Sequence, residues 1–272
     1  MKRALILAGG GARGAFQVGV LKFLEEKGWK PDMICGSSVG AINAAAIGSG
    51  MTASHLSHLW KNHKRQAIYK LTPQKFIMTF LGRRKFRPFA DTRPMRATLM
   101  KYVDAEALKR SRTHIIISAV NLETSRVTYF DQSDITVDHV MASAAMPLVF
   151  PYHFINGTPY WDGGIMANVP IMPALERGAE EVIAVLLSPV GLHSMPLPVT
   201  HAQFGELLLE HFLFSSYNAL SNIRSFENVR IGTVAPSRML GLRSLLNFSP
   251  QQAEKLIQEG YKNAGEQLKE FL

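Results

Sequence analysis

A chain of 272 residues with 47% hydrophobic and 19% charged residues can bury a sizeable core, which excludes an intrinsically disordered protein and a small metal- or disulfide-held scaffold. One cysteine, Cys35, rules out a disulfide framework and any cysteine-based zinc site, and its place in a strand suits buried packing. The net charge of +9 is uneven: residues 61–112 hold fifteen Lys and Arg against three acids, a net +12, so the remainder carries −3.

In chain order, Ala4–Ala8 reads as a buried strand that turns on Gly9-Gly10-Gly11-Ala12-Arg13-Gly14 into a helix. Met1-Lys2-Arg3 imitates a secretory leader, but the apolar run stops at Ala8, too short for one. A second strand, Asp32–Cys35, ends in Gly36-Ser37-Ser38-Val39-Gly40 and feeds a helix over Val39–Ser49. Helices follow over Ser54–Lys64 and Pro73–Leu81, then a basic loop, then a helix to Tyr102 capped by Asp91 or Thr92. Thr113–Val120 is a continuous apolar run, as in a strand buried on both faces, and Arg126–Phe130 is its neighbour across the turn Glu123-Thr124-Ser125. Val137–Ala145 is a small-residue helix stopped by Pro147. A hairpin follows: Tyr152–Ile155, an Asn156-Gly157 turn, and Pro159-Tyr160-Trp161, which delivers Asp162-Gly163-Gly164. Ile171–Arg177 is a short helix ending at Gly178, and Glu181–Leu187 another buried strand. From Gly191 a loop with Pro and His leads into an amphipathic helix (Phe204, Leu207, Leu208, Phe212). Val229–Val234 is the last strand, and Ser249-Pro250-Gln251-Gln252 caps a C-terminal helix.

No repeat, low-complexity tract or linker interrupts this order, so a single α/β domain over 1–272 is expected. No stretch approaches eighteen apolar residues, so no membrane-spanning helix is expected, and the expectation is a cytoplasmic, membrane-associated protein.

The glycine turn after the first strand is ambiguous by itself. A dinucleotide fingerprint requires an acid at the end of the second strand to hold the ribose. Here that end is Gly36-Ser37-Ser38; Asp32 enters at the opposite end, and Glu25 and Glu26 lie on the preceding helix. The P-loop reading fails because Ala15-Phe16 follows Gly14. Gly36-Ser37-Ser38-Val39-Gly40 carries more information. At a sharp strand-to-helix turn its glycines leave room for a strained backbone that projects Ser38 Oγ above the sheet as a nucleophile.

A serine hydroxyl needs a base. In the order Ser…Asp…His, a triad of Ser38, Asp162 and one of His193, His201 or His211 is available. None of these histidines sits in a short rigid loop after a clear strand. Asp162 is better placed, since it leaves a hairpin directly into two glycines that permit close backbone approach.

Together, Gly9-Gly10-Gly11-Ala12-Arg13-Gly14, Gly36-Ser37-Ser38-Val39-Gly40 and Asp162-Gly163-Gly164 resemble the motifs of the patatin-like phospholipase family. So do the phrases Ala15-Phe16-Gln17-Val18-Gly19-Val20-Leu21, Ala142-Ser143-Ala144-Ala145-Met146-Pro147 and Asn168-Val169-Pro170. The resemblance covers residues 4–190 and fades beyond Gly191, leaving 191–272 as the less defined part of the same domain. It implies a three-layer α/β/α fold with a mostly parallel sheet and a lipid acyl hydrolase of phospholipase A or lysophospholipase type. It also implies a Ser38–Asp162 dyad without histidine, an oxyanion hole from the amides of Gly10, Gly11, Ala12 and Arg13, and no cofactor or metal. Three readings of the Arg13 side chain stay open: it orients the loop, meets a lipid phosphate, or is a surface arginine. Apolar neighbours such as Trp161 are expected to raise the pKa of Asp162 above the ordinary value of about 3.9. A soluble carboxylesterase or thioesterase with the same dyad, and a non-hydrolytic nucleotide- or membrane-binding protein, are the alternatives.

The basic stretch has its own reading. Phe76–Phe89 sets aromatic and apolar residues beside Arg83, Arg84, Lys85 and Arg87. Such a segment suits an anionic membrane surface, where each cation adds about 1 kcal/mol. A solvated face is the bland alternative, and nucleic acid is not expected as a partner.

Overall fold

The computed structural model describes residues 1–72, 90–147, 149–190, 197–200, 204, 207, 228–241 and 243–272. The expected helix Pro73–Leu81, the Phe76–Phe89 segment, His193, His201, His211 and the helix through Phe212 (Phe204 and Leu207 apart) lie outside these residues.

Strands β1 (Arg3–Leu7), β2 (Met33–Ser37), β5 (His114–Asn121), β9 (Glu181–Val185) and β10 (Arg230–Val234) form the parallel heart of one sheet in the order β10-β9-β1-β2-β5. The strands β6 (Arg126–Asp131), β7 (His153–Ile155) and β8 (Thr158–Asp162) add antiparallel pairings around β5. A separate two-stranded ladder pairs β3 (Lys70–Leu71) with β4 (Ala90–Asp91).

The parallel strands are apolar at successive positions because each face meets its own helical layer. Leu5, Leu7, Ile34, Ile115, Ile117, Ile183 and Val185 join the core made with α1 (Gly14–Glu26), α2 (Val39–Gly48), α3 (Ala53–Asn62) and α10 (Pro250–Gln267). The alternate residues Ala4, Ile6, Met33, Cys35, Ile116, Val182 and Ala184 join a second core with Ala174 and Leu175 of α8 (Met172–Glu176). This is the three-layer arrangement that the motif resemblance implies. Cys35 lies inside the second core, where burial pushes its thiol up to about 12 and leaves it inert.

The remaining helices are α4 (Arg93–Tyr102), α5 (Ala105–Lys109), α6 (Val137–Ser143), α7 (Gly164–Ala167) and α9 (Arg243–Leu246). Of the two expected caps for α4, Thr92 occupies the N-cap position without a side-chain hydrogen bond, and Asp91 supplies one from the residue before, its Oδ1 accepting from the Arg93 amide at 3.0 Å. The β7–β8 hairpin turns on Asn156 (φ 50°) and Gly157 (φ 86°), the left-handed pair that a two-residue hairpin loop requires. Ser249 caps α10 by accepting from the Gln252 amide at 3.3 Å. β2 runs two residues further than the sequence suggests, because its parallel ladder with β5 continues to Ser37 opposite Ser118.

The pairings of β5 decide where the site forms. One edge of β5 is covered by β6. The other is shared: β2 runs along it up to the Ser37–Ser118 pair, and β8 runs towards it down to the Asp162–Ala119 pair. Two strands therefore approach head-on along one edge, and their C-terminal ends abut.

Candidate active site

The abutment joins Ser38 to Asp162. Ser38 Oγ donates to Asp162 Oδ2 at 2.6 Å, and the other carboxylate oxygen accepts from the Gly164 amide at 2.7 Å. Both residues are nearly buried, at 6% and 4% exposure.

Ser38 sits between β2 and α2 with φ 53° and ψ −121°, a backbone region costly for any side chain bearing a Cβ. Gly36 and Gly40 permit the sharp turn: a Cβ on Gly36 would strike the Gly40 carbonyl, and one on Gly40 the Leu7 carbonyl. The turn aims Ser38 away from the sheet edge and sets it at the N-terminus of α2, where the helix dipole favours negative charge.

The glycine loop lies beside it. Gly11–Arg13 form a single 3-10 turn that runs into α1 at Gly14. The Gly9 amide donates to the Asn168 carbonyl at 3.1 Å and the Arg13 amide to the Gly10 carbonyl at 3.2 Å. The amides of Gly10, Gly11 and Ala12 are the loop donors that these bonds leave over, whereas the Arg13 amide, expected as a fourth oxyanion donor, is spent on the Gly10 carbonyl; Gly11 and Ser38 line the same cavity. Gly163 follows Asp162, and its amide donates to the Ser143 carbonyl at 3.3 Å.

Of the three readings of Arg13, the side chain takes the first. It is fully buried: Nε donates to Ser244 Oγ at 2.7 Å, and its terminal nitrogens to Ser188 Oγ at 3.0 Å, the Leu187 carbonyl at 3.2 Å and the Gly241 carbonyl at 3.0 Å. Neither a lipid phosphate nor open solvent reaches it. Arg13 ties the glycine loop to the residues after β9 and to the start of α9 with the residues before it, a part of the chain where the motif resemblance had faded.

Burial pushes the Asp162 carboxyl up to about 7, against the opposing pull of the hydrogen bonds from Ser38 and the Gly164 amide. The expected direction holds, but Trp161 is not its source. Side chains alternate along β8, so Trp161 faces away from the surface that Asp162 faces.

From Ser38 and Asp162 a cavity of about 120 Å³ extends between α2, α3 and α4. Val39, Ile42 and Ala46 line it from α2, Leu56 and Trp60 from α3, Met95 and Leu99 from α4, and Leu245, Leu246 and Phe248 from the C-terminal part. Its polar members are already engaged. Asn43 donates to Gly14 O at 3.1 Å and Gln17 Oε1 at 2.8 Å, and accepts from Trp60 Nε1 at 3.1 Å. His63 meets the Leu59 carbonyl at 2.9 Å and Tyr102 Oη at 3.4 Å. What remains is an apolar slot with one polar end. Sequence reading missed this slot, since helical periodicity in α3 and α4 marks core without telling a filled core from a cavity.

Among the described residues, no histidine hydrogen-bonds Ser38 or Asp162, and no cluster of His, Cys, Asp and Glu could hold a metal. No helix among them is long and apolar enough to cross a membrane.

The family model described as "Patatin-like phospholipase" matches residues 5–175. The chain is 31% identical over 198 residues to a "cGAMP-activated phospholipase" of Vibrio cholerae serotype O1, covering 62% of this chain and 55% of that protein. It is 28% identical over 193 residues to a protein of the same description from Escherichia coli strain TW11681, covering 62% and 53%. The chain thus spans about half the length of these curated relatives. Among solved structures, VipD from Legionella pneumophila shares the fold with a TM-score of 0.52 at 14% identity, over 99% of this chain and 67% of that one.

Proposed function

The chain belongs to the patatin-like phospholipase family, and from that premise we propose that it is a serine lipid acyl hydrolase whose single domain, 1–272, cleaves carboxylic esters of phospholipids or lysophospholipids. The observation that carries the reading is the 2.6 Å Ser38–Asp162 hydrogen bond at the polar end of an apolar cavity.

Ser38 Oγ attacks the acyl carbonyl as its proton passes to Asp162 Oδ2. A carboxyl with a pKa of about 7 is a far better proton acceptor for this step than one at the ordinary value. The amides of Gly10, Gly11 and Ala12 receive the developing oxyanion, with the α2 dipole beside it; an oxyanion donor is typically worth about 2.7–4 kcal/mol. The tetrahedral intermediate then collapses: the C–O bond to the alcohol breaks, the alcohol takes the proton back from Asp162, and the acyl group stays on Ser38. Asp162 next takes a proton from water, hydroxide adds to the acyl carbon, and the Ser38 ester bond breaks to release the fatty acid as Ser38 Oγ takes that proton from Asp162. No metal enters either half-reaction. The acyl chain occupies the cavity along α2.

Contact with an anionic membrane through residues 61–112 belongs to the same proposal. Two of its cations are paired from outside the stretch, Lys61 with Glu254 and Arg96 with Asp138, while Arg93–Asp91 and Lys109–Glu106 pair within it and are already counted in the net +12.

The test is covalent labelling with a fluorophosphonate, followed by hydrolysis of a lipid panel. Wild type should be labelled on Ser38 and release fatty acid without added metal. The Ser38→Ala variant should stay folded, take no label and release none; near-normal turnover by that variant would remove the hydrolase reading.

A further inference from the structure

Ser38 and Asp162 reach the site on different strands, yet both are fastened to one short segment, the C-terminal turn of α6. Ser143, the last residue of α6, is fully buried. Its hydroxyl accepts from the Ser38 amide at 3.0 Å, and its carbonyl accepts from the Gly163 amide at 3.3 Å. Two residues on, the Ala145 carbonyl accepts from the Asp162 amide at 3.0 Å. A single turn thus holds the backbone of the nucleophile on one side and that of the carboxylate on the other.

We propose that Ser143 is a positioning residue whose hydroxyl fixes the Ser38 backbone in its left-handed conformation and thereby sets the Ser38–Asp162 contact. The inference rests on the hydrolase reading above. A residue with a Cβ at φ 53° persists only where its surroundings over-determine the backbone. The ladder between β2 and β5 ends one residue earlier, at the Ser37–Ser118 pair, so the sheet does not hold the Ser38 amide. The helix hydrogen bonds of α2 use the Ser38 carbonyl, which accepts from the Ala41 and Ile42 amides at 3.0 and 3.2 Å, and not its N–H. The Ser143 hydroxyl holds that remaining group. Without it the Ser38 amide loses this acceptor, and the elbow relaxes towards an ordinary backbone. Ser143 does not line the cavity, although its neighbour Ala144 does. Its loss therefore acts on the chemical step and not on binding of the acyl chain.

The experiment compares wild type, Ser143→Ala, Ser143→Cys (similar volume, weaker acceptor) and Ser118→Ala, another buried hydroxyl beside the site. For each, the thermal midpoint, kcat and KM on a soluble ester, the rate of fluorophosphonate capture of Ser38 and the pH dependence of that capture are measured. In Ser143→Ala, kcat and the capture rate should fall by about 10- to 100-fold while KM stays within about twofold. The rising limb of the capture profile should also move to higher pH, because a loosened Ser38 no longer lowers the carboxyl's pKa by donating to it. Ser143→Cys should fall between Ser143→Ala and wild type, and Ser118→Ala should follow wild type. Wild-type capture in Ser143→Ala overturns the inference. So does a loss of rate with an unmoved pH limb and a lowered thermal midpoint, or failure of both Ser143 variants to fold, since either marks a packing role. Absence of labelling in wild type would overturn the hydrolase reading itself, an outcome distinct from these.

Discussion

Ser38 and Asp162 are 124 residues apart in sequence and 2.6 Å apart in space because β2 and β8 end against each other on the same edge of β5. Ser37, the residue before the nucleophile, pairs with Ser118 and Asp162 with Ala119, so consecutive positions of one strand bring the two halves of the dyad side by side. The junction leaves the carboxylate dry, and dryness gives it the basicity that the reaction needs.

The pH dependence of activity follows from that burial. With Asp162 at about 7, kcat should rise with pH through a midpoint near 7 as the carboxyl gives up its proton, well above the region where an exposed aspartate titrates. Asp162→Asn keeps the shape but accepts no proton, and should lower kcat by about 10²–10⁴-fold. A midpoint near pH 4 in wild type would count against Asp162 as the base.

Stability should move the opposite way. Folding raises the pKa of Asp162, so between about pH 4 and about pH 7 the folded chain holds a proton that the unfolded chain has released. Stability is then lost as pH rises through this window, by up to about 1.4 kcal/mol per pH unit. Asp162→Asn removes the penalty. Its thermal midpoint should exceed that of wild type at pH 8, and the gap should narrow towards pH 5. Equal gaps at both pH values would contradict a buried, raised carboxyl.

The cavity runs along α2, from Val39 to Ala46, about 10 Å of helix. Ala46→Phe should fill its far end. Turnover of long-chain esters should drop by about tenfold or more relative to short ones, since each excluded methylene is worth about 1 kcal/mol or more. The readout is kcat/KM across a chain-length series; a uniform change across the series would place the acyl chain elsewhere.

Arg13 should matter for folding as well as for catalysis. Arg13→Ala leaves Ser244, Ser188 and the Leu187 and Gly241 carbonyls without its donors, so urea unfolding should show a loss of about 3 kcal/mol. Arg13→Lys should recover only part of this, because an ammonium does not reproduce the planar fork of donors. Full recovery with lysine would mean that charge alone holds the loop.

Membrane contact through residues 61–112 predicts a salt-sensitive effect confined to vesicles. Charge reversal of Arg83, Arg84 and Lys85 to glutamate should reduce hydrolysis of lipid in anionic vesicles while leaving a short soluble ester unaffected. The difference should shrink as the Debye length falls from about 10 Å at 0.1 M salt to about 3 Å at 1 M. Equal vesicle rates for the two proteins at low salt would exclude the docking role.

Much of this architecture is written in local sequence. Continuous apolar runs such as Ile115–Ile117 mark strands buried on both faces, and the Asn156-Gly157 pair fixes its hairpin, because periodicity and turn chemistry act over a few residues. The elbow at Ser38 and the glycine loop are legible for the same reason: small residues are demanded where backbones touch. The apolar slot, the Arg13 clamp and the bracket at Ser143 were not legible. Each depends on groups far apart in the chain, such as Arg13 with Ser244 or Ser38 with Ser143, and no spacing rule joins them. The basicity of Asp162 has the same origin. Its side chain is an ordinary aspartate in the sequence; only the meeting of β2 and β8 removes the water that would hold its pKa near 4.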